Sequence, residues 1–334
     1  MVLVTGGTGL VGSHLLLELV RSGTKVRAIY RTEHKLAQVK KTFSYYTADP
    51  QAVFDKIEWI QADILDIPAL EIAFIDIHYV YHAAALISFD PNDFDTLRKI
   101  NVEGTANIVN LCVAYKVKKL CYVSTIGTIG RSLPNKKATE ENEWTAQRTN
   151  VYALTKYAAE MEVWRGSQEN LEVVIVNPGV ILGPGFWETG SGKFFKAANK
   201  GSKYYPPGGT GFVTVADVVR IMIGLLKSDI VQERFILVAD NLTFKDILTR
   251  IALAMKKKPP VKELKIWQLK IGRYLDILNN VLAGNERRIT KNTIYSLQHT
   301  KVYSNAKIKA ALDFEFEDLE NTIQLCAEHF ISDR

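Results

Sequence analysis

The chain opens on Val2-Leu3-Val4-Thr5-Gly6-Gly7-Thr8-Gly9-Leu10-Val11-Gly12-Ser13, an apolar run, a glycine turn and the start of a helical pattern. Gly6, Gly9 and Gly12 permit a tight turn, a close approach of backbone to a pyrophosphate and close packing of helix on strand. The helix start beyond them offers free N–H groups and a partial positive charge to an anion. A glycine triplet alone is a weak signal. Between an apolar strand and an amphipathic helix that open a βαβ unit, it implies a dinucleotide held by Gly6, Thr8, Gly9, Leu10, Val11 and Gly12.

Short apolar runs then alternate with helical patterns through the first two thirds of the sequence, which predicts a doubly wound parallel α/β sheet of the Rossmann type. Strands are expected at residues 2–5, 25–30, 57–62, 78–83, 119–124, 172–177 and 235–238, and helices at 11–20 and 101–114. Glycines and prolines at 183–185, 190–192 and 206–211 predict long loops after Pro178. From Thr243 the pattern is mainly helical. The expected division is a dinucleotide-binding core with the catalytic residues over 1–178, and a substrate region over 179–334. The latter returns one strand near 235–238 and ends in a smaller, mainly helical lobe.

The 334 residues, 47% hydrophobic and 23% charged, suffice for a large core. The net charge of +6 suits an anionic ligand, but the basic residues read as scattered, so no nucleic-acid partner is expected. The run Lys256-Lys257-Lys258 before Pro259 reads as a solvated helix end. Cys112, Cys121 and Cys326 show no metal-ligand spacing and suit reduced, buried thiols, which points to a cytoplasmic protein. No signal-peptide pattern or integral membrane segment is read. The most apolar stretch, residues 266–283, is broken by Lys270, Arg273 and Asp276 and predicts an amphipathic helix over a pocket.

Dinucleotide folds that take NAD place an acid at the end of the second strand, whereas an Arg there accommodates the extra phosphate of NADP. Here the sequence runs Tyr30-Arg31-Thr32-Glu33. Arg31, helped by Lys35, is placed to pair with a 2′-phosphate, so NADP(H) is preferred over NAD(H); a solvated residue at a helix start is the plainer alternative. Tyr152 and Lys156 lie four apart and share a helix face. An ammonium beside a phenol favours the phenolate, which fits the pair for proton exchange with a carbonyl or alcohol. Tyr115 with Lys119 and Tyr303 with Lys307 share the spacing, but only Tyr152 opens the helix after the strand that ends at Ser124 and Thr125.

With these residues the chain resembles the extended short-chain dehydrogenase/reductase superfamily, also called the NAD-dependent epimerase/dehydratase family. The resemblance rests on the Thr5–Gly12 turn, Asp63 with Ile64, His82-Ala83-Ala84-Ala85, Asn101, Tyr122-Val123-Ser124-Thr125, Tyr152 with Lys156, and Asn177-Pro178-Gly179. It implies that Tyr152 is the acid/base, that Lys156 binds the nicotinamide ribose, and that Thr125 hydrogen-bonds the substrate oxygen. Asn101 would maintain the backbone or a water path, and Asp63 would accept from the adenine amino group. Ile64, Ala83, Ala84, Ala85, Ser124, Pro178 and Val180 would line the cofactor. A homodimer is the assembly it implies. Plainer readings stand beside these: His82 as a satisfied core histidine, Asn101 as a helix cap, and Ser124 as a turn residue.

The reaction is less constrained than the cofactor, since one fold hosts many functions. Dehydratases of this family carry acids after the catalytic hydroxyl, whereas Ile126 and Gly127 follow Thr125 here. The version Asn177-Pro178-Gly179-Val180 resembles the dihydroflavonol reductase, cinnamoyl-CoA reductase and hydroxysteroid dehydrogenase branch. Phe89, Phe186, Trp187, Tyr205 and Phe212 are expected to line a site for a small apolar or aromatic substrate. Hydride transfer to or from a carbonyl compound is therefore expected. The alternatives are a nucleotide-sugar epimerase or dehydratase with tightly bound NAD, and a non-catalytic dinucleotide sensor.

Overall fold

The computed structural model describes residues 1–132, 136–283 and 290–334. Their strands are, in chain order, β1 (Val2–Thr5), β2 (Val26–Tyr30), β3 (Ile57–Gln61), β4 (Tyr79–His82), β5 (Lys119–Val123), β6 (Glu172–Pro178), β7 (Val180–Leu182), β8 (Tyr204–Tyr205), β9 (Gly209–Thr214), β10 (Glu233–Leu237), β11 (Asp240–Thr243) and β12 (Lys262–Glu263). Seven form one parallel sheet in the order β10-β6-β5-β4-β1-β2-β3. The strand order reverses between β1 and β4, and an open α/β sheet binds its ligand at the carboxyl ends beside such a reversal.

Both faces of the sheet are covered, as a parallel sheet requires. The period of two along each strand does the sorting: Val2 and Val4 join Leu15, Leu16 and Val219 on one face, while Leu3 joins Leu70, Ile108 and Val173 on the other. Helix Val215–Lys227 lies against helix Leu10–Arg21, so the chain beyond Pro178 returns to cover the first βαβ unit. Buried Lys119 closes that return by donating to the carbonyls of Leu225 (2.8 Å) and Ser228 (2.7 Å) at the end of the later helix.

Three expectations change. Residues 206–211 do not make one long loop, because Gly209–Thr214 is strand β9 between β11 and β7. A Cβ on Gly211 would lie 2.5 Å from Val238 and one on Gly179 2.4 Å from the Gly211 carbonyl, so the bare backbone lets two chain segments press together. The helix expected over 101–114 is regular only over Gly104–Ala114 and is preceded by a wide π-type turn, Arg98–Glu103, that turns Asn101 into the interior. Helix Ile266–Ala283 forms, yet Leu269 alone among its described apolar side chains is buried, and Trp267, Ile271 and Tyr274 face outward.

The remaining core lies between helices Gly192–Asn199, Phe244–Ala254 and Leu319–Ser332 and strands β7 and β9, around Phe195, Phe212, Ile247, Ile251 and Ile323. Thr243 starts the middle helix with a capping box to Asp246. Cys112, Cys121 and Cys326 are buried and unpaired. Among the described residues no helix is long and apolar enough to cross a membrane.

The contact that sets helix Leu10–Arg21 on β1 is the closest in the turn: a Cβ on Gly12 would lie 2.1 Å from the Gly6 carbonyl oxygen. Gly12→Ala is therefore expected to lower the unfolding free energy by about 3 kcal/mol or more. Gly23→Ala, at φ +74° with nothing within 4 Å of the added methyl, should lose only about 1–2 kcal/mol from its backbone conformation. Urea denaturation measures both, and equal losses would contradict the packing account.

Candidate active site

Gly6 adopts φ +70° at the end of β1, and a Cβ there would lie 2.6 Å from the backbone of Ala83 and Ala84 after β4. The turn is closed by Gly9 N–H donating to Gly6 (3.0 Å) and Ser13 N–H to Gly9 (2.9 Å). Gly9 caps the helix without a side chain, and no acid occupies its first turn. The amides of Leu10, Val11 and Gly12 thus lack intrahelical acceptors, and the positive end of the dipole is uncompensated. That bare, cationic cradle at the strand reversal fits the pyrophosphate of a dinucleotide.

Beneath the turn, Thr5 Oγ1 and His82 Nδ1 are 2.6 Å apart, and His82 Nε2 lies 3.0 Å from Thr105 Oγ1. Burial, reinforced by the Lys156 charge, pulls His82 down to about 3. His82 is a neutral, satisfied core histidine that ties β1 and β4 to the next helix. At the other end of the cradle Arg31 and Asp63 follow β2 and β3, with Arg31 Nη1 3.7 Å from Asp63 Oδ2 and both partly exposed. Lys35 is exposed on the same rim. Ile64 is buried with its side chain against Gly104, and its carbonyl accepts from Asn107 Nδ2 (3.0 Å). Ala83 and Ala84 are half-buried, Ala85 is exposed, Pro178 ends β6 in the interior, and Val180 is half-buried.

Asn150 starts helix Val151–Gln168 by accepting from Ala153 N–H (2.8 Å), which places Tyr152 in the first turn and Lys156 one turn deeper. The Ile126–Thr128 turn abuts it, since a Cβ on Gly127 would lie 3.1 Å from Ala153 Cβ. Thr125 Oγ1 accepts from Gly127 N–H (3.2 Å) and retains its own proton to give outward. Ser124 is buried, with its hydroxyl 3.4 Å from Thr128 Oγ1, as suits a strand-end residue. The Phe89 ring meets Tyr152 edge-on, centroids 5.8 Å apart. Asn101 is no helix cap: it accepts from Leu86 N–H (2.8 Å) and donates to the Leu86 carbonyl (3.0 Å) and Thr155 Oγ1 (3.1 Å). It clamps the segment that carries Phe89 onto the Tyr152 helix.

The Tyr and Lys pair differs from expectation in one respect. Lys156 Nζ donates to the Tyr122 hydroxyl (2.5 Å) and the Val123 carbonyl (2.8 Å) rather than to Tyr152. Burial therefore dominates, and the Tyr152 phenol is pushed above the usual range instead of below it. Burial also pulls the Lys156 ammonium down to about 7, opposed by the Glu160 carboxylate.

Glu160 was not anticipated, although it continues the four-residue spacing of Tyr152 and Lys156 on one helix face. It is wholly buried, its carboxyl is raised by burial, and Oε1 accepts from Asn177 Nδ2 (3.2 Å). Asn177 Nδ2 also donates to Thr128 Oγ1 (2.9 Å) and the Thr125 carbonyl (3.3 Å), so one amide joins the end of β6, the Thr125 turn and the Tyr152 helix. Trp144 is a second unanticipated support, stacked on Tyr157 at 3.8 Å and donating to the Gly127 carbonyl at 3.4 Å.

One aromatic residue leaves the expected substrate wall, and a second is partly engaged elsewhere. Phe212 is wholly buried, because β9 turns it into the lobe core beside Phe194. Trp187 packs edge-on against Phe195 and Phe330 and donates its indole N–H to Asp333 (2.8 Å), which leaves it half-buried. Phe186 and Tyr205 are half-buried.

Glu160→Gln keeps the hydrogen-bonding shape and removes the charge that opposes the Lys156 shift. Lys156 should then lose its proton at lower pH, and the alkaline limb of the kcat/KM profile should move to lower pH. An unmoved limb would contradict the electrostatic role of Glu160.

Comparison with known proteins agrees with this geometry. The sequence profile of the NAD dependent epimerase/dehydratase family matches residues 2–238. Among relatives, the sterol demethylase protein B of Methylococcus capsulatus is 28% identical over 253 residues, 74% of this chain and 72% of that one. A putative dihydroflavonol 4-reductase of Synechocystis is 26% identical, covering 79% of this chain and 75% of its own, and cinnamoyl-CoA reductase 1 of Oryza sativa is 26% identical, covering 78% and 77%. Among solved structures, gox2253 superposes with TM-score 0.82 at 25% identity over 100% of this chain and 98% of that one. The UDP-glucose 4-epimerase of Thermotoga maritima shares the fold, with TM-score 0.75 at 20% identity over 99% of each chain. The chain belongs to the NAD-dependent epimerase/dehydratase family and is an NAD(P)-dependent enzyme of the extended short-chain dehydrogenase/reductase class.

Proposed function

We propose that the protein reduces the carbonyl of a small apolar or aromatic compound with NADPH, or runs the reverse oxidation, and releases the spent cofactor. The observation that carries this reading is the half-buried Tyr152 ring in edge-on contact with the exposed Phe89 ring, with no acid in the adjoining Thr125-Ile126-Gly127 turn. The phenol keeps its proton near neutral pH, and a cation close enough to favour the phenolate lets it pass that proton to an oxygen gaining negative charge.

When bound, the nicotinamide cofactor supplies or accepts the hydride. The amides of Leu10–Gly12 would hold its pyrophosphate, Asp63 its adenine, and Lys156 its ribose hydroxyls. Thr125 donates to the substrate oxygen and fixes its position, and Tyr152 passes its proton to the same oxygen. Lys156, cationic below about 7, stabilises the phenolate left behind. Asn101 and Asn177 keep the three groups in register through the contacts described above. Phe89 offers an apolar wall, and Phe186 and Tyr205 extend it.

Arg31 supports NADPH over NADH. Among the described residues its guanidinium has a long, exposed ion pair with Asp63 to give up when a 2′-phosphate arrives. Arg31→Ala should weaken NADPH binding about 10- to 100-fold and leave NADH within a few-fold. Equal effects on the two cofactors in a titration would sink the assignment.

The function itself is tested by Tyr152→Phe with a panel of ketones, aldehydes and nucleotide sugars. Turnover of an apolar carbonyl substrate by the wild type, and a kcat lower by about 10²- to 10⁴-fold in the variant with NADPH affinity unchanged, are expected. Purified protein that retains NAD and interconverts nucleotide sugars would replace this reading with the epimerase, and cofactor binding without any turnover would replace it with the sensor.

A further inference from the structure

The charge that reads as scattered in the sequence is gathered by the fold. Residues 256–276 hold seven basic and two acidic side chains, a surplus of five against six for the whole chain. The same segment exposes large apolar groups to an unusual degree: Val261 is 72% exposed, Tyr274 66%, Leu275 60%, Trp267 58%, and Ile266 and Ile271 50% each. Trp267, Ile271 and Tyr274 fall at i, i+4 and i+7 on helix Ile266–Ala283 and share its outward face, opposite buried Leu269. Lys262 in β12 pairs with Tyr204 in β8, itself 42% exposed, so the patch continues off the helix.

We propose that this face is a peripheral membrane-docking surface that lays helix Ile266–Ala283 in the headgroup layer of an anionic bilayer. Interfacial helices combine outward aliphatic groups with a basic rim, and their Trp and Tyr rings settle at headgroup level. Lys262, Lys265 and Lys270 are exposed on that rim, and the run Lys256-Lys257-Lys258 lies just before it. Lys270, Arg273 and Asp276 interrupt the helix, so it lies on a bilayer rather than through it. A second copy of the chain is a poor occupant, because a twofold contact would oppose two faces of the same charge. Nucleic acid would use the cations but leave Val261, Ile266, Ile271 and Leu275 in water.

The docked face adjoins the site. Leu264 N–H donates to the Tyr205 carbonyl (2.9 Å), and helix Lys291–Gln298, packed on helix Ile266–Ala283, donates from Asn292 to the Thr149 carbonyl (2.7 Å), just before the Tyr152 helix. Docking therefore brings the substrate side close to the bilayer, where apolar compounds concentrate. That consequence uses the reductase reading, whereas the docking does not.

Co-sedimentation of the full chain with phosphatidylcholine vesicles, with and without phosphatidylglycerol, tests it without any activity measurement. Binding should be at least about tenfold stronger with phosphatidylglycerol. It should collapse in about 1 M salt, where screening acts within about 3 Å. The pairs Lys262→Glu with Lys265→Glu, and Trp267→Ser with Ile271→Ser, should each weaken it by about tenfold or more. Both pairs lie on the surface and should keep the wild-type thermal midpoint. Failure to sediment with anionic vesicles, or equal sedimentation of wild type and both variants, overturns the proposal. So would indifference to phosphatidylglycerol, tighter binding to RNA than to vesicles, or a self-association that Trp267→Ser with Ile271→Ser abolishes in a protein that ignores vesicles.

Discussion

The approach of Gly12 to the Gly6 carbonyl fixes where everything else can stand. Only a residue without a Cβ lets helix Leu10–Arg21 start that close to β1, and only a left-handed Gly6 lets the turn clear the backbone after β4. Together they aim a helix N-terminus across the strand reversal. The buried Thr5, His82 and Thr105 contacts then lock β4 in the register that brings the Ala83–Ala84 backbone under the turn. Without that close packing the amides would point elsewhere, and the later residues would have no ligand to act on.

On the far side of the reversal, a buried polar cluster holds Tyr152 and Lys156 in place as the glycines hold the turn. Lys156, Tyr122, Glu160 and Asn177 are all buried, which is costly unless each polar group is answered. Most are answered by one another or by the carbonyls of Thr125 and Val123. Because one amide links β6, the Thr125 turn and the Tyr152 helix, displacement of any of the three disturbs the other two. The low proton affinity of Lys156 and the high one of Tyr152 share a cause in this desolvation, so Tyr152 holds its proton at neutral pH while Lys156 gives its own up more readily than a free ammonium.

Local rules made the sheet legible. The apolar runs gave all seven parallel strands to within about two residues, because a strand buried on both faces has a continuous apolar signature. Tyr152 and Lys156 were separable from two look-alike pairs by position alone. What failed was tertiary. Phe212 looks like a loop aromatic among glycines, yet those glycines are present so that β9 can lie against its neighbours, which buries the ring. Trp187 was claimed by Phe330 and Asp333 from the far end of the chain, and no local pattern announces that meeting. Ile64 faces the core because Gly104 leaves room for it. Glu160 was legible in principle, through its spacing from Lys156, but its partner Asn177 lies on another strand.

On this reading the glycine turn and the Tyr152 cluster serve one dinucleotide between them. A crystal structure of the protein grown with NADPH measures this most directly. The pyrophosphate is expected on the amides of Leu10, Val11 and Gly12, the adenosine end beside Arg31 and Asp63, and the nicotinamide between Thr125 and Tyr152. A nicotinamide lodged away from Tyr152, or a cofactor bound elsewhere with the Leu10–Gly12 amides empty, would contradict it.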